Sequence, residues 1–195
     1  QLKGIIMQLR FLTDEFEYDG TQLRSLYGYL QHGILGNSIV SWIGPCDISD
    51  EHMVDGEDLN NNAEICGGKM LHFIVEYFES DLYFGVAMQR IMASITMEIL
   101  REHSTEQALL EAMSRSGDDV YTSGRKLSIS VATRSPVSTL VHFAVNVENE
   151  GTPVDTCSLS DFKIEPSMFA KLLMQNFVHE IESVKDATRK VKWVK

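Results

Sequence analysis

The sequence predicts a single α+β domain over residues 1–195, with a mainly antiparallel sheet and its helices packed on one face. Two long stretches carry one apolar stripe each at helical spacing. Several β-rich runs are joined by short turns rather than by helices, which favours antiparallel pairing. Because a helix with a single apolar stripe buries only that side, we expect both long helices on the same face of the sheet.

The first half of the chain predicts three strands and one helix. Apolar and β-branched residues predict strands at residues 5–12, 38–43 and 70–78. An acidic loop over residues 13–20 leads to a predicted helix over residues 22–31, with Thr21 as its N-cap and Gly33 at its end. The polar residues 48–69 are predicted to form a long surface loop with one helical turn near residues 57–60.

The second half predicts the two long helices and a hairpin unit. Residues 82–102 form the longest predicted helix, and Pro166 begins a second one that runs to about residue 184. Residues 117–147 predict three short strands joined by two tight turns. Residues 106–113 fit either helix or strand, residues 158–164 suggest one turn, and the basic residues 189–195 suggest an edge strand.

Charge and composition exclude several classes of partner. The formal net charge of −11 disfavours a broad phosphate-neutralising surface, so we expect no nucleic-acid partner. No apolar run reaches the roughly 18 residues of a membrane span, and we expect no membrane partner. Three cysteines in a chain of this size suit unpaired thiols, and together with the lack of a signal-like segment they predict a cytoplasmic location. A monomer and a homodimer both stay open.

Known site motifs are few. Cys46 with His52, and Cys66 with His72, form two similarly spaced pairs that could supply zinc ligands. Their spacing matches no compact zinc knuckle, so we predict no metal site. The chain contains no nucleophile elbow, P-loop or dinucleotide fingerprint, which argues against a hydrolase of that type, a P-loop NTPase and a dinucleotide enzyme.

The hairpin unit holds the densest set of reactive side chains. Lys126 follows a tight turn directly, a rigid placement that can aim its ammonium group into a pocket, and Arg125 should face the opposite way. Asp118 and Asp119 could pair with these cations, bind a divalent ion or orient a substrate amine. The alternative is a solvated turn with weak surface ion pairs.

Two residues of the last strand of this unit also stand out. Asn146 interrupts an apolar strand, and a buried amide needs hydrogen-bond partners, which neighbouring backbone could supply. His142 lies in the same apolar run and fits either an interior histidine or a ligand-binding group.

Three segments of this unit resemble the catalytic centre of biotin and lipoate protein ligases. They are DDVY at residues 118–121, GRKL at 124–127 and VHFAVNV at 141–147. The resemblance implies a fold shared with class II aminoacyl-tRNA synthetases. It also implies that Lys126 contacts an acyl-adenylate and that Asp119 and Asn146 match conserved positions of those enzymes.

The chain departs from these ligases at several positions. Ser128 and Ile129 replace a glycine of the ligase pattern, and Thr133 replaces an acidic residue. The arginine- and glycine-rich nucleotide loop is absent, and its nearest counterparts are residues 20–24, which include Arg24, and residues 66–69. Over its whole length the sequence resembles the family called domain of unknown function 366, in segments such as SIVSWIGPCDI at residues 38–48.

Two functional hypotheses follow from the residues and the resemblance. The first is a ligase- or acyltransferase-like enzyme that binds a nucleotide-activated carboxylic acid as its small-molecule ligand, with ATP or an adenylate as the nucleotide. The alternative is a catalytically inactive module that binds a small molecule or nucleotide on the same fold. The predicted catalytic residues are Lys126 and Asp119, and the predicted ligand-binding residues are Arg24, Asp118, Arg125, Asn146 and His142.

Overall fold

The computed structural model describes residues 7–194, which form a five-stranded main sheet, a three-stranded small sheet and five helices. In spatial order the main sheet contains β1 (Gln8–Phe11), β2 (Ser38–Ile48), β3 (Ile65–Phe78), β8 (Ser138–Asn146) and β7 (Ser128–Arg134). The small sheet contains β4 (Met113–Ser116), β5 (Asp119–Thr122) and β6 (Arg125–Lys126). The helices are α1 (Tyr27–His32), α2 (Gly56–Asn61), α3 (Leu82–His103), α4 (Gln107–Glu111) and α5 (Pro166–Lys190).

The predicted α+β fold is confirmed, with one parallel pair in the main sheet. β1 runs parallel to β2, whereas β2, β3, β8 and β7 pair antiparallel with one another. Two parallel neighbours need a crossover connection, and the segment between β1 and β2, which includes α1, provides it. The sheet is therefore mixed rather than purely antiparallel.

The two faces of the main sheet bury different sets of side chains. Because side chains alternate along a strand, Phe73 and Phe143 face one way and His72 and His142 face the other. The phenylalanines belong to the apolar core formed with α3 and α5, so the long helices share one face as predicted. The opposite face carries a smaller cluster around Trp42, built with the crossover segment.

The β2–β3 hairpin corrects the prediction of a long loop over residues 48–69. β2 continues to Ile48 and β3 begins at Ile65, and only the helical turn predicted near residues 57–60 appears there, as α2. β2 passes Pro45 because a register shift between Gly44 and Cys46 leaves the proline without a partner in β3. A polar strand extension of this kind has no apolar alternation for sequence reasoning to detect.

The first and last helices also differ from prediction. α1 begins only at Tyr27, because Leu26 adopts a left-handed conformation with φ of 63° and its N–H donates to the buried carboxylate of Glu76 at 2.8 Å. The predicted strand over residues 189–195 is wrong for the described residues, since α5 continues to Lys190 and no strand follows it up to residue 194. None of the described helices is long and apolar enough to cross a membrane.

The remaining predictions agree in outline with the structure. The ambiguous residues 106–113 contain α4 and then the first residue of β4. Residues 117–147 contain four strands rather than the predicted three, with β5 and β6 in the small sheet and β7 and β8 in the main sheet. The predicted strand over residues 5–12 is observed as β1, and its first two residues lie outside the described range.

Candidate functional site

A pocket of about 270 Å³ lies against the face of the main sheet opposite the long helices. Its floor is formed by side chains of β7 and β8 together with the buried Tyr18, and the segment around α2 closes one side. The hairpin of β5 and β6 closes the other side. The polar and charged residues that line it are Tyr18, His52, Asp55, Glu57, Asp58, Asp118, Asp119, Lys126, Ser130 and His142.

Lys126 lies on the pocket wall and is held there from several sides. Its Nζ atom lies 2.8 Å from Oδ2 of Asp119, and both side chains are less than one third exposed. Its backbone pairs with Tyr121 in β5, its N–H donates to the carbonyl of Asp155 and its carbonyl accepts from the N–H of Cys157. The lysine predicted from the tight turn is therefore a rigidly placed cation.

The two aspartates of the hairpin have different surroundings. Burial raises the pKa of Asp119, and the hydrogen bond and charge of Lys126 oppose that rise. Asp118 accepts hydrogen bonds from Nε2 of Gln89 at 2.9 Å and from Oγ of Ser130 at 2.6 Å. Asp118 thus ties the hairpin to α3 and β7, while Asp119 pairs with the lysine.

Asn146 acts on the hairpin backbone. Its side chain is buried, and its Nδ2 atom donates to the carbonyls of Lys126 and Cys157, each at 3.1 Å. The amide that interrupts the apolar strand therefore has backbone partners, one of the two alternatives that the sequence left open. Asn146 fixes the position of the lysine and does not line the pocket.

Both predicted arginines lie outside the pocket lining. Arg125 is next to Asp161, with 3.7 Å between Nη1 and Oδ2. Arg24 is exposed and lines a separate depression with Tyr27 and His32. Their assignment as ligand-binding residues stays a prediction.

His142 belongs to a buried chain of hydrogen bonds beneath the pocket. Nε2 of His72 lies 3.1 Å from the carbonyl of Gly44, and Nδ1 of His72 lies 3.1 Å from Nε2 of His142. Burial lowers the pKa of His72 to about 4 and lowers that of His142 well below its usual value, so both rings are neutral at pH 7. Tyr18 stacks on His142 with 3.7 Å between ring centroids.

The neutral charge states fix the tautomers of both rings. The carbonyl of Gly44 can only accept, so Nε2 of His72 carries the proton and Nδ1 of His72 accepts. Nε2 of His142 must then donate to it, which leaves Nδ1 of His142 as a bare acceptor. His142, predicted as either an interior or a ligand-binding residue, is both buried and part of the pocket lining.

Sequence reasoning missed several lining residues, notably Tyr18, Asp58 and Ser130. Tyr18 reaches the pocket because its backbone pairs with Cys46 beyond the register shift in β2. Asp58 reaches it from α2, whose N-cap Asp55 accepts from the N–H groups of Glu57 and Asp58. That N-cap was the one local signal available, since an Asp before a short polar helix is a common start signal.

The four candidate zinc ligands do not form a site in the described part of the chain. His72 is engaged by Gly44 and His142, and Cys46 is buried beside the carbonyl of Ile65. Among residues 7–194, no group of three or more His, Cys, Asp or Glu side chains is arranged to hold a metal ion.

Comparison with solved structures places this fold beside known ligases. A protein of unknown function from Pyrococcus horikoshi is 38% identical, with a TM-score of 0.90 and coverage of 97% of this chain and 100% of that chain. The biotin protein ligase of Aquifex aeolicus in complex with biotin and ATP gives a TM-score of 0.59 at 14% identity, over 92% of this chain and 72% of the ligase. Ta0514 of T. acidophilum, a proposed lipoate protein ligase with bound lipoic acid, gives a TM-score of 0.53 at 16% identity, over 90% of this chain and 86% of that chain. These matches confirm the predicted biotin and lipoate ligase-like fold.

Sequence comparison identifies the family itself. The uncharacterized protein MJ0805 of Methanocaldococcus jannaschii is 26% identical over 191 residues, which cover 94% of this chain and 84% of that protein. The profile of the family described as Domain of unknown function (DUF366) matches residues 7–192, nearly the whole sequence. The chain belongs to this family.

Proposed function

We propose that this protein is a ligase- or acyltransferase-like enzyme that binds a nucleotide-activated carboxylic acid in the pocket beside Lys126. The observation that carries the proposal is the partly buried placement of Lys126 on the pocket wall, paired with Asp119. An ammonium group fixed in a partly buried pocket stabilises negative charge as it develops on a reacting carbonyl or phosphate oxygen. Asp119 orients the lysine, and Asn146 fixes its backbone.

The charges of the pocket lining restrict the form in which a nucleotide could take part. Five carboxylates and one lysine line the pocket, which does not fit a bare triphosphate, because that group requires several cations. An acyl-adenylate carries one negative charge at its phosphate and suits a single lysine. The pocket volume also lies near the lower end of the about 300–1,000 Å³ typical of ligand sites, which fits an acyl group.

A binding module without catalysis is a second candidate. The observation that favours it is the 2.8 Å pairing of Lys126 with Asp119, which already compensates the lysine charge. A ligand would then be held by the pocket but not activated there. Location in the cytoplasm and the lack of a nucleic-acid partner stay predictions for both candidates, and the choice between a monomer and a homodimer stays open.

Two measurements separate the candidates. Binding is detected by thermal unfolding with ATP, biotin, lipoic acid and a panel of other carboxylic acids, since a ligand at about 100 times its Kd adds about 2.7 kcal/mol of stability. Acid-dependent exchange of labelled pyrophosphate into ATP reports adenylate formation. Stabilisation with exchange supports the enzyme, whereas stabilisation without exchange or acyl transfer supports the binding module.

The variant Lys126→Ala tests the proposed role of the lysine directly. It should lower the exchange rate by about 10²–10³-fold, as does the loss of one charge-stabilising group in other enzymes. The matched control is Lys69→Ala, which removes a lysine that pairs with Glu148 at 3.6 Å outside this pocket. Equal rates in the two variants would refute a catalytic Lys126.

A further inference from the structure

The pocket presents hydrogen-bond acceptors that the protein itself leaves unused. Asp58 lines the pocket from α2. Its backbone N–H donates to Asp55, but within the described residues no donor bonds to the Asp58 carboxylate. Burial and the charge of Asp55 raise the pKa of Asp58, and the charge of Lys126 opposes that rise. Asp58 is only partly exposed and contributes to the pocket lining.

The second unused acceptor is Nδ1 of His142 on the pocket floor. His142 is 1% exposed, and its Nε2 atom is bonded to His72. Within residues 7–194, the one hydrogen bond of the His142 ring is that of Nε2, and no donor reaches Nδ1. His142 lines the pocket, and covering this acceptor with a ligand that offers no donor would cost free energy.

These acceptors define the chemistry of a complementary ligand. Four carboxylates besides Asp119 line the pocket, and Asp118 is held by two neutral donors that leave its charge uncompensated. Lys126 provides the one cationic group of the lining. A ligand that suits both parts carries negative charge at the end near Lys126 and N–H donors with positive charge at the other end.

We infer that the carboxylic acid bound in this pocket carries a protonated amine, so that the substrate class is an amino-substituted acid. This inference rests on the proposed function and adds that the bound acid carries an amine besides its carboxyl group. The ammonium is received by Asp58 and the acidic wall, with Nδ1 of His142 as a neutral acceptor beneath it. A simple acid would leave these acceptors without donors.

The test uses pairs of acids that differ only in the amine. Hexanoic and 6-aminohexanoic acid, and 3-phenylpropanoic acid and phenylalanine, are titrated by calorimetry together with biotin and lipoic acid as amine-free references. The amino-substituted member of a pair should bind at least about tenfold more tightly than its partner. Asp58→Asn should remove that preference, while Asp50→Asn, an exposed aspartate of the same segment outside the pocket lining, should leave it intact.

The outcomes distinguish this inference from the function on which it rests. Equal affinities within each pair, or tighter binding of the amine-free acids, would overturn the inference; if that binding still required Lys126, the proposed function would stand. A preference for the amine that survives Asp58→Asn would overturn the role of Asp58. Failure of every acid to bind, with no pyrophosphate exchange, would overturn both proposals.

Discussion

Acidification should destabilise this protein through its buried histidine pair. The pKa of His72 falls from its usual 6.5 to about 4 in the folded chain because burial disfavours the charged ring. Between these two values the unfolded chain binds a proton that the folded chain does not, so the free energy of unfolding decreases as pH falls. The contribution of neutral His72 to the free energy of unfolding is complete above pH 6.5 and is lost progressively down to about pH 4.

Between pH 7 and pH 5, His72 alone should lower the free energy of unfolding by about 2 kcal/mol. This figure follows from the protonated fractions of a histidine with a pKa of 6.5 in the unfolded chain and about 4 in the folded chain. His142 adds to it, since its pKa is lowered by burial and by the neighbouring ring. Urea unfolding at both pH values, followed by fluorescence of the buried Trp42, measures the difference.

The comparison protein is the double variant His72→Leu/His142→Leu. Between pH 7 and pH 5 the free energy of unfolding of this variant should fall by less than that of the wild type. The difference between the two decreases should be about 2 kcal/mol or more. His32, whose pKa is also lowered, is present in both proteins and cancels. His179→Gln, at an exposed position of α5, should behave as the wild type. The same pH dependence in the wild type and the double variant would refute this account.

Two substitutions test how the site is supported. Asn146→Ala should lower the free energy of unfolding by about 1–3 kcal/mol, because the carbonyl of Cys157 loses its buried donor while that of Lys126 keeps only the N–H of Cys157. Asn146→Asp should be no milder, since a carboxylate cannot donate, and a loss under about 0.5 kcal/mol would contradict the observed bonds. Gly44→Ala should cost about 3 kcal/mol or more, because the new Cβ would lie 1.8 Å from the carbonyl oxygen of Phe16. Gly56→Ala is the matched control with nothing within 4 Å, and equal melting curves for the two alanine variants would disprove the clash.

The elements that sequence reasoning found are those whose pattern is local. The apolar stripes of α3 and α5 and the tight turn before Lys126 are encoded by neighbouring residues, and the structure contains all three. The pairing of Lys126 with Asp119 follows from the register of one short hairpin, so both residues could be named before the fold was known.

The rest of the site depends on contacts between distant segments. Tyr18 and His142 are 124 positions apart in the sequence and meet only because a crossover segment lies along β2. Asp58 reaches the pocket because polar residues extend β2 and β3 into a long hairpin, for which neither propensity nor periodicity gives a signal. The position of Arg24 depends on the left-handed Leu26, whose partner Glu76 lies 50 positions further along the chain.

Because side chains alternate between the two faces of β3 and β8, neighbouring residues of these strands are selected for different roles, either packing in the core or contacting a ligand. Val141 and Phe143 belong to the core beneath the long helices, whereas His142, between them in the sequence, belongs to the pocket. Changes on the two sides of a sheet share few contacts, and their effects on stability should therefore be nearly additive. Relatives can thus acquire new ligand preferences by substituting alternate positions of the same strands while the apolar core that keeps them folded stays constant.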